Sequence, residues 1–131
     1  MHSLFVCGRV GRDPELRQTE SGRSVTTFTV ADNRRYTTND GERREETTWF
    51  RVTAWGKLAQ ACSDHLSTGR SVAIQAWLKP DENGNPRIWT DSDGDSHSSF
   101  EVTAQRVEFL GSKGASEDAQ DYETGDEASD A

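Results

Sequence analysis

Polar and apolar residues alternate through the stretch 44–55. Read with a period of two, Phe50, Val52 and Ala54 share one face, and Trp49, Arg51, Thr53 and Trp55 share the other. The pattern predicts a strand whose core face is Phe-Val-Ala. Residues 3–10, "SLFVCGRV", predict a strand in which Gly8 marks a bulge or a close backbone approach. "GRDPEL" reads as a turn. Residues 23–31 alternate again, with Val25, Thr27, Thr29 and Ala31 on one side and Thr26, Phe28 and Val30 on the other. "TTNDGE" places an Asp-Gly turn signal inside a polar loop of about ten residues.

Gly56 ends the third strand. Leu58, Ala61, Cys62, His65 and Leu66 then fall at helical spacing, predicting a short amphipathic helix stopped by Gly69. "RSVAIQAWL" predicts a fourth strand with Val72, Ile74, Ala76 and Leu78 on one face. "KPDENGNPR" and "DSDGDS" are turn-rich and flank "IWT". "SSFEVTAQRVEFL" is a last strand with a bend near Ala104. One helix between the third and fourth of five strands predicts an all-β OB-fold: a five-stranded barrel with long β-hairpin loops.

Composition changes this picture mainly at the C-terminal end. Hydrophobic residues make up 31% of the 131 residues. From Gly111 onward Tyr122 is the only large apolar residue, so 111–131 reads as a disordered acidic tail behind a 1–110 domain. All 15 Lys and Arg lie in residues 1–113 beside 16 acids, whereas 114–131 carries seven acids and no base. The net charge of −8 is thus mostly the tail's. Residues 1–57 hold ten bases and eight acids, so the acidic balance does not exclude a polyanion partner for the folded body.

Cys7 and Cys62 both read as small buried hydrophobes of a reducing compartment. The start shows no leader pattern, and no apolar run approaches 18 residues. These features predict a soluble, cytoplasmic protein that does not enter a membrane.

The tryptophans opposite the core face need a use. They can cover another element or a subunit interface. They can also stack on bases. Six strand residues span ~20 Å, so Trp49 and Trp55 cannot cage one small ligand, but they can support different nucleotides of an extended strand. Tyr36 sits beside Arg34 and Arg35, and Trp89 follows Arg87. Aromatics interleaved with cations in three segments suit single-stranded nucleic acid, with rings on bases and guanidinium groups on phosphates.

The segments "GRVGRDPELRQTESGRSVTTFTVADNRRY", "DGERREETTWFRVTAWGKLAQAC" and "IWTDSDG…FEVTAQRVEFLG" resemble the bacterial-type single-stranded DNA-binding protein family over about residues 1–111. The resemblance implies a homotetramer that wraps single-stranded DNA without strong sequence preference, in replication, recombination and repair. It puts the stacking aromatics at Tyr36, Trp49, Trp55 and Trp89, and their basic partners at Arg51, Lys57 and Arg87. Departures are Tyr36 in place of Trp, Ala76 in place of Gly, an added Trp77, and a longer connection from Leu78 to Trp89. The tail keeps the family's acids but ends "DEASDA" without a hydrophobic tip. Replication and repair proteins would therefore meet it only weakly.

Other chemistry is set aside. "DSDGDS" lacks the spacing of a calcium loop, because Gly94 is fourth and Val102 stands where Glu is needed. No phosphate loop, Cys/His metal spacing or nucleophile motif occurs, so the sequence predicts neither an enzyme nor a metal or other cofactor. A second class stays open: an OB domain for priming or assembly whose aromatics meet another protein.

Overall fold

The computed structural model describes residues 1–110 and the backbone of 121–123. The strands are β1 (Leu4–Gln18), β2 (Ser24–Thr37), β3 (Arg43–Trp55), β4 (Ser71–Leu78), β5 (Arg87–Thr90), β6 (Ser96–Leu110) and β7 (Asp121–Glu123). The helix α1 (Gly56–His65) lies between β3 and β4. The sheet runs β3-β2-β1-β4-β6, and a parallel pairing of β3 with β6, from Phe50↔Phe100 to Thr53↔Thr103, closes it into the expected five-stranded barrel. β5 pairs with the first half of β6 and extends the sheet as a hairpin.

The barrel interior follows the alternation. Val52 and Ala54 are fully buried, and Phe50 packs against the core from its edge. On β2 the inner set is Thr26, Phe28 and Val30. Thr26 is tolerated there because its hydroxyl donates to the Ala59 carbonyl at 2.7 Å, so no buried polar group is stranded. Leu58, Ala61, Cys62 and Leu66 of the helix region plug the barrel beside Phe109. Burial pushes the Cys62 thiol up to about 12. His65 is half-buried, with its ring 5.3 Å from that of Phe109.

Four expectations change. "GRDPEL" is strand, not turn: β1 continues through it with register shifts at Val10/Arg12 and Arg12/Glu15. Such bulges let one strand bend round a barrel corner, and the second absorbs Pro14, which has no N–H for the ladder. The polar loop shrinks to 38–42, because β2 and β3 pair out to Thr37↔Arg43 as a long arm. α1 ends at His65 with Leu66 already extended, so Gly69 lies beyond the stop. Cys7 is exposed, because it faces outward beside the inward-facing Val6. The bend expected near Ala104 is a bulge: Gln75↔Arg106 is followed by Ala76↔Ala104, which leaves Gln105 out of register. Most of the tail lies outside the described residues. Within it, β7 occupies the edge of β6 at Arg106–Glu108, where β6 would otherwise present unpaired backbone groups.

One turn design recurs at 19–23, 38–42, 81–85 and 91–95. The fourth residue is glycine with positive φ (83° at Gly41, 87° at Gly94), and the N–H of the first residue donates to the carbonyl of the fifth. The first residue is Thr or Asp, and its side-chain oxygen accepts the N–H of the fifth. This accounts for "DSDG" as turn chemistry.

Asp13, at the second bulge of β1, accepts the hydroxyl and the N–H of Thr68 at 2.7 and 2.8 Å. These two bonds, the hydroxyl first, hold its carboxyl below the usual carboxylate value. They tie the β1 corner to the connection between α1 and β4. The stabilisation is fully present above the ordinary carboxylate range and is lost as pH falls through the lowered folded value. Asp13→Ala should therefore lower the melting temperature at neutral pH, and the difference from the parent should shrink away once the pH is well below the ordinary carboxylate range. An equal penalty at both pH values would mean that the ionised carboxylate is not what holds the corner.

Candidate nucleic-acid interface

The outward face of β3 carries Trp49, Arg51 and Trp55, as the alternation requires. Trp49 is 53% exposed, and the edge of its six-membered ring reaches Gly11 of β1. Gly11 makes this possible, since a Cβ there would stand 2.4 Å from Trp49 Cζ3. Across the β3–β6 seam, the β5–β6 hairpin presents Trp89, 49% exposed. Trp49 and Trp89 line one open groove of about 500 Å³. Its other walls include Arg12, Arg51, Ser99 and Phe100. Phe100 is held by Phe50, with ring centroids 6.0 Å apart. Arg12 and Arg51 also line a smaller adjoining depression with Thr27 and Thr29. Two indoles and two guanidinium groups thus line one groove, a combination suited to a chain of bases joined by phosphates.

Trp55 stands apart from this groove. It is half-buried, and Arg23 covers one ring face at 4.3 Å from the centroid, a cation–π contact. Its indole N–H is buried and has no hydrogen-bond partner among the described residues. Lys57, exposed in the first turn of α1, follows two residues later.

The arm of β2 and β3 carries the third group. Tyr36 lies beneath Arg34, 5.3 Å from ring centroid to guanidinium, and shares an open concavity with Arg35, Arg43 and Arg44. Arg34 pairs with Glu46 at 3.1 Å and Arg35 with Glu45 at 3.3 Å, both in solvent. Exposed pairs of this kind are weak, so a phosphate can replace the carboxylate. Arg87 sits 3.9 Å from Glu101, beyond hydrogen-bond reach.

The structure brings Trp49, Trp89 and Arg51 together, puts Trp55 and Lys57 at one end of β3, and sets Tyr36, Arg34 and Arg35 on the arm. Sequence reasoning missed Arg12, Arg23 and Phe100. Arg12 was hidden inside an apparent turn. Phe100 looked like an ordinary strand apolar residue, because its facing partner across the closed seam is 50 residues away.

The family model described as "Single-strand binding protein family" matches residues 1–110. The chain belongs to this family. Among the single-strand binding proteins it resembles, "Single-stranded DNA-binding protein 1" of Chlorobaculum tepidum is 37% identical over 114 residues, covering 86% of this chain and 67% of that one. The single-stranded DNA-binding protein of Caldanaerobacter subterraneus is 37% identical over 110 residues, covering 84% and 68%. Two solved structures share the fold. The small single-stranded DNA-binding protein of Streptomyces coelicolor has a TM-score of 0.69 at 24% identity, covering 83% of this chain and 94% of that one. The Plasmodium falciparum single-strand binding protein, in complex with single-stranded DNA, has a TM-score of 0.66 at 23% identity, covering 85% and 96%.

Proposed function

We propose that the chain binds single-stranded DNA without strong sequence preference and so protects and organises it during replication, recombination and repair. The observation that carries this reading is the groove in which Trp49 and Trp89 flank Arg12 and Arg51, on a chain of the single-strand binding protein family. Trp49, Trp55, Trp89 and Tyr36 stack on bases. Stacking accepts any base because every base has a π face. Arg51, Lys57, Arg87 and Arg12 meet phosphates, and Arg34 and Arg35 do so after releasing their glutamates. Residues 1–110 are the binding domain and 111–131 an acidic extension that meets replication and repair proteins weakly.

The protein acts by binding rather than catalysis, in the cytoplasm, as a homotetramer. Phe5, 77% exposed on β1, supports self-association together with the half-buried Trp77 on neighbouring β4, as a surface that another copy would cover.

Binding through phosphates releases counterions, so the logarithm of affinity falls linearly with the logarithm of salt concentration. Arg51→Ala, Lys57→Ala and Arg87→Ala should each lower affinity for oligo-dT and flatten that slope by roughly one unit or less per lost contact. Arg34→Ala and Arg35→Ala should do less, because each cation must first leave a carboxylate. Unchanged slopes in the first three variants would remove them from the phosphate path and leave the groove without its electrostatic half.

A further inference from the structure

Trp89 is the most exposed to misplacement of the proposed stacking residues. It lies on a short strand that pairs, among the described residues, with β6 alone, and it takes no part in the core cluster that would fix its rotamer. Its surroundings supply the missing constraint. His97, directly across the ladder from Trp89, lies against one face of the indole, with centroids 4.5 Å apart and planes 25° from parallel. Ser99, two residues on and therefore on the same face of β6, accepts the indole N–H at 3.1 Å.

His97 is itself anchored. Its Nε2 donates to Asp91 Oδ2 at 2.6 Å. The other oxygen of Asp91 accepts the N–H groups of Asp93 and Asp95, which locks the carboxylate to the turn. The His97 bond, ahead of the backbone bonds, holds the Asp91 carboxyl below its usual value. A chain of contacts therefore runs from a rigid turn through a carboxylate and an imidazole to one face of Trp89.

We propose that His97 is a positioning residue: held by Asp91, it backs one face of Trp89 and leaves only the opposite face for a base. This rests on the reading of Trp89 as a base-stacking residue. The benefit is preorganisation, because an indole already fixed in its bound orientation loses little rotamer freedom when a base arrives.

The test is a double-mutant cycle on the full chain, with oligo-dT as probe and circular dichroism to confirm folding. His97→Ala should weaken binding by roughly 2- to 10-fold, the range set by immobilising one side chain. In a Trp89→Ala background the same change should have no further effect, since nothing is left to position. His97→Phe keeps a flat ring against the indole and should restore affinity to within about twofold of the parent. A hairpin-folding role or a direct DNA contact of His97 would instead give the same loss in both backgrounds, and that result overturns the proposal. So does an unchanged affinity in His97→Ala while Trp89→Ala binds weakly; there the stacking role of Trp89 survives and only the backing role fails. If Trp89→Ala itself binds as the parent does, the stacking role fails and the proposal with it.

Discussion

Removing Trp49 and Trp89 together should weaken oligo-dT binding by ~2–6 kcal/mol, the sum of two stacked bases at ~1–3 kcal/mol each. The two indoles line the same groove, where a single strand would meet both, so their losses should combine. Both are about half exposed, and neither belongs to the core cluster, so the double variant should keep its melting temperature. Loss of fold before loss of affinity would show that these rings hold the barrel rather than a ligand. Trp55→Ala is a less clean probe, because Trp55 is half-buried under Arg23 and its removal strips that cation of its ring.

The second large effect separates two glycines three residues apart on β1. A Cβ at Gly8 would stand 2.1 Å from the Ala31 carbonyl oxygen and 3.0 Å from Val30 Cγ1. That oxygen is backbone of the paired strand and cannot step aside. Gly8→Ala should therefore pry β1 from β2 beside the Arg9↔Ala31 pair and cost ~1–3 kcal/mol or more of stability. A Cβ at Gly11 meets side chains rather than backbone, the Trp49 ring at 2.4 Å and Thr29 Oγ1 at 3.1 Å, and the ring can rotate away. Gly11→Ala should leave the urea midpoint close to the parent's and lower DNA affinity instead. Urea denaturation and oligo-dT binding of both variants check this. If Gly11→Ala unfolds the protein, or leaves affinity untouched, Trp49 is not seated on β1 as described.

Much of this was legible because alternation is a local signal. The faces of β3, the inward set of β4 and the amphipathic helix each follow from residues within one element. Gly8 stood out as a glycine inside an apolar strand, and its close approach to Ala31 is the reason. What depends on closure was not legible. No spacing in the chain says that β3 and β6 meet in parallel, so the seam Phe50–Phe100 and the shared groove of Trp49 and Trp89 emerge only in three dimensions. Local chemistry also misled at "GRDPEL", where Gly, Asp and Pro suggested a turn. The barrel corner uses the same residues as bulges within a continuous strand. At Cys7 the general tendency of cysteine to be buried lost to strand parity.

The exposed arm shows a different limit. Arg34 and Arg35 are adjacent cations in the sequence, but the β2–β3 register sets Glu46 and Glu45 opposite them. Their availability to a phosphate depends on a cross-strand pairing that sequence order does not reveal.

The most direct test of the central claim is a titration of the full chain with oligo-dT, followed by tryptophan fluorescence at several salt concentrations. Bases stacked on Trp49, Trp55 and Trp89 should quench the emission strongly, and the apparent affinity should fall as salt rises, linearly on logarithmic axes. Emission unchanged by saturating oligo-dT at low salt would contradict DNA binding through these rings.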